Sequence, residues 1–451
     1  KREVSNYQLP TTHYQDTAQL LAKAVQQAKQ LNDKRAESYA IGELGKVYQL
    51  TGQLTEAQGL TEQALLIANG IEADEIAYRW QAQLGEILNV RGDNKGAIAA
   101  YTNAVKTLNT IRRDLVAMNP EVQFSFRESV EPVYRELVSL LLEPPLNKEG
   151  QEKIAPEQKN IKQALEVIEG LQLAELDNFF RQACLDVKPQ QIDQVDAKAA
   201  VIYPLILKDR IEVILSLPNQ PALNYKTYLP KEEIERKLKQ LRGSLSLSAA
   251  NSEHLNLYAT LYNWLIRPAQ TEIAASGVKT LVFVTEGSLR NIPMAALYDG
   301  QKYLVENYSI AFTPGLQLLE PQPLANRSLK TLIGGLSEAR QGFTALPGVQ
   351  SEANLIAQKV SSEVLLNQQF TANSLRQALS ETKIPVLHLA THGQFSSKAE
   401  DTFILTWDGK LNVTEIETLL GGRNETRTGA IELLVLSACQ TAKGDNRAVL
   451  G

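Results

Sequence analysis

The sequence is poor in the residues that do most covalent and metal chemistry. Among 451 residues there are two cysteines, two methionines, four histidines and three tryptophans. Two cysteines, Cys184 and Cys439, cannot form the disulfide framework of a small secreted domain, so a reducing compartment, the cytoplasm, is expected. No apolar run approaches the roughly 18 residues that a membrane-spanning helix needs, and no secretory signal pattern is read at the N-terminus. Neither sign of charge dominates: 46 Lys and Arg stand against 51 Asp and Glu, a formal net charge of −5. That balance gives no basic excess for nucleic acid and no acidic run for a disordered tail. The length is too great for one ordinary domain, and two or three are expected. The opening residues "KREVSNYQLP" read as the middle of a longer protein.

What the first third does contain is a repeat. Residues 1–115 are rich in Ala, Leu, Gln and Glu and lack strand alternation. "LGKVYQLTGQLTEA" (44–57) aligns with "LGEILNVRGDNKGA" (84–97), a period of 40 that pairs Gly45 with Gly85, Gly52 with Gly92 and Ala57 with Ala97. Ala24, Ala64 and Ala104 share another register. Each unit reads as helix, Gly-containing turn, helix, with turns near Gly52 and Gly92. Small residues at fixed places let paired helices approach, and one pair cannot bury its apolar face alone, so the units stack. The pattern resembles tetratricopeptide (TPR) repeats of longer period than usual, and a longer link, "LIANGIEADEIA", is expected to hold the extra residues. Such solenoids mostly bind protein segments, which points to a regulatory protein partner here.

Residues 116–195 read as a helical connector. A helix starts at Asn119–Pro120, a polar Pro-containing loop covers 143–160, and further helices follow. Cys184 sits among apolar residues there and reads as a small buried hydrophobe. From about 196 the period changes. "AVIYPLIL" and "IEVILSL", separated by "KDR" (208–210), read as a hairpin. Apolar runs at 279–287, 308–315, 329–335, 362–367, 385–393 and 431–439 alternate with amphipathic helices such as 348–360 and 371–380. Strand–helix–strand order with runs buried on both faces predicts a doubly wound, mainly parallel α/β sheet over 196–451.

In such a sheet, functional groups collect past the C-terminal ends of the strands. "VLHLATHGQF" (386–395) ends a strand on His392 and Gly393, and "IELLVLSACQTA" (431–442) ends one on Cys439. If the two strands are neighbours, a spacing of ~5 Å brings the side chains within reach. Imidazole can then take the thiol proton and the thiolate attack a carbonyl. The N–H groups of Gly393 and Cys439 are candidate oxyanion donors, and Ser437 and Ala438 leave room for a substrate backbone. The competing chemistry is zinc on His388, His392 and Cys439. His388 lies inside the strand, however, where four-apart spacing does not share a helical face, and it reads better as a satisfied core histidine.

Residues 200 onward resemble a CHAT domain, a caspase-like peptidase family often fused to TPR repeats. The resemblance rests on "AVIYPLILKDRIEVILSLP", "LYNWLIRP", "KTLVFVTEGSLRNIPMAAL", "YLVENYSIAFTPG", "ALPGVQSEA", "LHLATHGQF" and "LSACQTAKGD". It implies a caspase-like fold behind a TPR-like solenoid and a cysteine endopeptidase with His392 as base and Cys439 as nucleophile. A protein substrate is then expected, with no cofactor, no metal, no nucleic acid and no membrane. The family's domain continues past the cysteine motif, so this one is expected to be truncated at its C-terminus, with an incomplete P1 pocket. Glu400 and Asp401, the nearest acids after the histidine loop, read as a solvated turn rather than a P1 carboxylate. The alternative function is a non-catalytic scaffold built from the same parts.

Overall fold

The structure is a computed structural model. It describes residues 11–117, 129–144, 156–180, 196–244, 252–313, 315–316, 330–381, 384–394, 402–421 and 431–438. Backbone packing divides the chain into two compact units. One comprises Lys1–Lys237, Asn251–Thr285 and Met294–Leu319; the other comprises Leu238–Ala250, Glu286–Pro293 and Glu320–Gly451.

The first unit opens with five antiparallel helices: α1 (Thr11–Gln30), α2 (Lys34–Leu50), α3 (Leu54–Gly70), α4 (Asp74–Val90) and α5 (Asn94–Ala117). Their turns share one design. The residue with left-handed backbone is Asn32, Gly52, Glu72 and Gly92 in succession, so the structural period is half of the sequence period. At Gly52 and Gly92 (φ 82° and 83°) the absent Cβ removes the steric cost of that conformation. The sequence reading placed the residues beyond the usual TPR length in a longer link after α3. The structure corrects this: "LIANG" continues α3 to Gly70, and α2, α3 and α4 are each 17 residues long. The extra length lies in the helices, because nothing in "LIANG" breaks one before Gly70. Ala57, Ala64, Ala97 and Ala104 are fully buried between helices, as the repeat register requires. A Cβ on Gly85 would lie 2.6 Å from the Tyr101 ring, so this glycine sets the approach of α4 and α5.

Two further helices, α6 (Glu131–Leu141) and α7 (Gln158–Phe180), lead to a hairpin of β1 (Ala199–Ile206) and β2 (Arg210–Ser216). With β3 (Leu223–Tyr228), β4 (Thr280–Phe283) and β5 (Ser309–Phe312) they form a sheet of order β3-β2-β1-β4-β5, in which β1, β4 and β5 are parallel. One apolar core runs from Tyr101 and Leu108 of α5 through Leu137 of α6 and Ile168 of α7 to Val201 of β1 and Val282 of β4. Polar ties cross it. Tyr203 donates to Glu169 at 2.9 Å. Arg210, paired with Glu212 on the same strand, donates to the Ser139 carbonyl of α6 at 3.2 Å. Among the described residues, the remaining α-helices before β6 are α8 (Lys231–Ser244), α9 (Ser252–Leu265), α10 (Gln270–Ser276) and α11 (Leu304–Asn307); the residues of α8 are divided between the two units.

The second unit is built on four parallel strands: β6 (Thr331–Gly335), β7 (Ser362–Leu366), β8 (Val386–Ala390) and β12 (Leu433–Ser437), in the order β12-β8-β6-β7. Helix α12 (Gly348–Lys359) connects β6 to β7, and α13 (Ala372–Glu381) connects β7 to β8. The chain steps from β6 outward to β7, then back across to β8. It therefore winds in both directions from β6, and a topological switch point lies between β6 and β8. A small antiparallel sheet of β9 (Gly393–Gln394), β10 (Phe403–Leu405) and β11 (Lys410–Asn412) follows β8, and α14 (Val413–Gly421) precedes β12. Phe370, Leu375, Leu379, Leu387, Leu389 and Ile404 form the core on one face of the parallel sheet. Among the described residues no helix is long and apolar enough to cross a membrane.

Candidate functional site

The site forms at the switch point of the second unit. Every residue of β8 is buried, which explains its continuous apolar run. Past Ala390 the backbone is held from both sides. The Thr391 N–H donates to the Ser437 carbonyl at 3.2 Å, and the Leu405 N–H donates to the His392 carbonyl at 2.8 Å. The Thr391 hydroxyl donates to the Leu405 carbonyl at 2.6 Å. His392 is thus pinned just beyond the strand, with its side chain buried.

The loop that leaves the neighbouring strand β6 holds the imidazole. His392 Nε2 lies 2.7 Å from the Thr344 carbonyl oxygen. A carbonyl only accepts, so Nε2 carries a hydrogen, and the neutral tautomer compatible with this bond has its lone pair at Nδ1. The Phe343 ring lies over the imidazole with centroids 5.0 Å apart and planes at 34°, and Phe403 meets Phe343 edge-on at 6.2 Å. The loop itself is braced. Arg340 and Phe343 exchange backbone hydrogen bonds at 3.1 and 2.8 Å across a turn formed by Gln341 and Gly342, both with positive φ. The Arg340 guanidinium stacks 4.0 Å from the centre of the Trp407 ring and donates to the Trp407 carbonyl at 3.0 Å. Leu336 N–H ties the loop's start to the Ala390 carbonyl at 3.1 Å.

Gly393 is buried and opens β9, paired with Ile404. The bond from Leu405 N–H to His392 C=O brackets that pair, which makes it a non-hydrogen-bonded pair of the antiparallel ladder. The Gly393 N–H therefore points away from β10. His388, in the middle of β8, is buried and engages the Glu352 carboxylate of α12 at 2.9 Å, which is the satisfied core histidine expected from its position. The same carboxylate accepts from the Ser437 hydroxyl at 3.3 Å. Cys439, Cys184, Glu400 and Asp401 lie outside the described residues. Among the described residues no three or more His, Cys, Asp or Glu are grouped to hold a metal. Sequence reasoning missed Phe343, Thr344 and Glu352 as parts of the site, because their contacts to His392 and His388 span 48 and 36 residues of chain.

Residues 256–451 match the family model described as the CHAT domain. The chain is also similar to three solved structures at low identity. A kinesin light chain with nearly identical TPR-like repeats from Podospora anserina is 19% identical with a TM-score of 0.25, over 37% of this chain and 75% of that one. BtubC (BKLC) from P. vanneervenii is 15% identical with a TM-score of 0.21, over 39% and 71%. The Saccharomyces cerevisiae separase–securin complex matches at 9% identity with a TM-score of 0.33, over 83% of this chain and 40% of the separase chain. Among curated proteins none matches.

Proposed function

We propose, from the premise that residues 256–451 form a CHAT domain of the caspase-like cysteine peptidase clan, that this protein is a cysteine endopeptidase with His392 as base and Cys439 as nucleophile. The observation that carries the reading is the register of β12 on β8. Leu433 pairs with Val386 and Ser437 with Ala390, an offset of 47 positions, and Cys439 stands at the same offset from His392. The Thr391 N–H to Ser437 carbonyl bond already carries this ladder one residue past Ala390.

The chemistry follows from the ring's orientation. With Nε2–H committed to the Thr344 carbonyl, Nδ1 is the atom that takes the thiol proton. The imidazolium formed is stabilised by that same charge-assisted bond. The thiolate attacks the scissile carbonyl carbon, and its oxygen gains the negative charge. The Gly393 N–H, unused by the β9–β10 ladder, is a donor for that oxyanion. Collapse of the tetrahedral intermediate returns the proton from His392 to the leaving amine. Water then hydrolyses the thioester with His392 again as base. The TPR-like repeats fit a second role, docking a protein that regulates the activity or presents the substrate.

The test is cleavage of a panel of peptides and proteins by wild type and three variants, with thermal melts as controls. Cys439→Ala should abolish cleavage. His392→Ala should lower it by at least an order of magnitude, since an unassisted thiol of pKa ~8.5 is only a few per cent thiolate at neutral pH. Cys184→Ala should leave the rate unchanged. Cleavage that survives in Cys439→Ala would refute the reading, and a wild type that cleaves nothing in the panel would favour the non-catalytic scaffold.

A further inference from the structure

We infer that Glu352 is a positioning residue that fixes Cys439 against His392 by holding the two strands that lead to them, one with each carboxylate oxygen. This rests on the dyad proposed above. Oε1 accepts from His388 Nε2 on β8 at 2.9 Å, and Oε2 accepts from the Ser437 hydroxyl on β12 at 3.3 Å. His388 lies four residues before His392, and Ser437 two before Cys439.

A helix laid on a parallel sheet normally offers it an apolar face, so a carboxylate aimed at the strands needs a reason. The approach of α12 is itself built in. In the row Gly335–Ala390–Ser437, Gly335 has no Cβ, and one placed there would lie 2.7 Å from Val349 Cγ1 of α12. That close packing lets Glu352, one turn further along, reach both His388 and Ser437. The arrangement is not a serine triad. The Ser437 hydroxyl donates to the carboxylate rather than to the imidazole, so nothing removes its proton. Its effect is mechanical. On the side away from β8, β12 pairs with no strand among the described residues, and Leu433 and Leu434 are 42% and 38% exposed. Beside the ladder to β8, the Glu352 carboxylate holds Ser437 at the C-terminal end of β12. Ser437 stands two residues before the proposed nucleophile, and a 1 Å misplacement of reacting groups costs on the order of 10²-fold in rate.

The experiment uses residues 1–451 carrying Cys184→Ala, among which Cys439 is the one cysteine, and reads two quantities. The first is the rate of alkylation by iodoacetamide, and the second is kcat and KM for a cleaved peptide. Glu352→Ala and Ser437→Ala should each lower alkylation and kcat about tenfold or more, with KM little changed and melting temperature nearly kept. The double variant should be no worse than Glu352→Ala alone. Glu352→Gln, whose amide can still engage both arms, should recover much of the loss. In a His392→Ala background, Glu352→Ala should change nothing further. A purely structural role would loosen the fold and raise the alkylation rate, which would overturn the proposal, as would unchanged alkylation and kcat in both variants. If no peptide is cleaved while alkylation still depends on Glu352 and His392, the positioning role stands and the endopeptidase reading falls. If wild-type alkylation is no faster than that of a free thiol and His392→Ala leaves it unchanged, both fall.

Discussion

Replacing Phe343 with alanine tests whether His392 is held by the aromatic ring above it as well as by the Thr344 carbonyl. The ring makes two aromatic contacts, to the imidazole at 5.0 Å and to Phe403 at 6.2 Å, and packs against the apolar core of the second unit. The loop backbone does not depend on it, because the Arg340–Phe343 bonds and the Arg340–Trp407 stack are made by other atoms. The variant therefore removes one restraint on the imidazole and leaves the 2.7 Å bond from Nε2–H to Thr344 available. An aromatic pair contributes about 0.5–1.5 kcal/mol beyond its buried area, and a hydrogen bond contributes a similar net amount, so roughly half of the restraint is lost. At RT of about 0.6 kcal/mol that is a loss of about two- to thirteen-fold in the population of correctly placed imidazole. Two measurements read it. Nitrogen NMR of the labelled histidines should show His392 as the Nε2–H tautomer in the wild type and a mixture in Phe343→Ala. Peptide cleavage should fall by the same factor, and Phe343→Leu should fall less. A wild-type His392 protonated at Nδ1 would refute the reasoning, and so would a variant with unchanged tautomer and rate.

Four other substitutions probe the frame around the site, the repeats and the first sheet. Gly335→Ala would push a Cβ to 2.7 Å from Val349 and 2.9 Å from the Ala390 carbonyl. It should cost about 1–3 kcal/mol as overpacking and lower cleavage more than any stability-matched variant remote from the site; a stable, fully active protein would contradict this. Glu72→Gly relieves a left-handed non-glycine residue at φ 54° and should raise stability by about 0.5–1 kcal/mol, while Gly52→Ala at φ 82° should lower it by about 1 kcal/mol. Opposite signs in thermal melts are the expected result, and equal signs would show that these turns are not the limiting strain. Arg210→Ala leaves the fully buried Glu212 with the Asn224 amide as its hydrogen-bond donor and removes the donors to Ser139. A loss of about 3–5 kcal/mol is expected in urea unfolding, and a loss under about 1 kcal/mol would mean the carboxyl is buried neutral.

Periodicity carried the reading as far as it reaches. The apolar runs at 329–335, 362–367, 385–393 and 431–439 contain β6, β7, β8 and β12, and 348–360 and 371–380 mark α12 and α13 within a residue or so. A strand buried on both faces has no choice but to be continuously apolar, so its sequence announces it. The edge strand β3, "LNYKTY", is half-exposed along its length, and β10 and β11 are three residues each; none is long or patterned enough to stand out. The extra length of the repeats was misplaced for a related reason. The turn after α3 has its left-handed residue at Glu72, which carries no local signature, where glycine marks the turns at 52 and 92.

The site divides in the same way. His392 was legible because the end of a buried run is a place, and an unusual residue at that place needs a reason. Its environment was not, because Phe343 and Thr344 arrive from another strand's loop and Glu352 from a helix, and no local window relates them. What connects the two levels is register. A parallel ladder fixes every pairing once one is known, so the match of Leu433 to Val386 implies all others at the same offset. A one-residue slip of β12 on β8 would put Ser437 on the face away from Glu352, and a one-residue slip of β8 on β6 would turn His388 away from it. The Glu352 contacts to both strands are therefore satisfied in one register, and that register is the one in which positions 392 and 439 correspond. A polar bracket on an otherwise apolar face thus selects the alignment on which the proposed dyad depends.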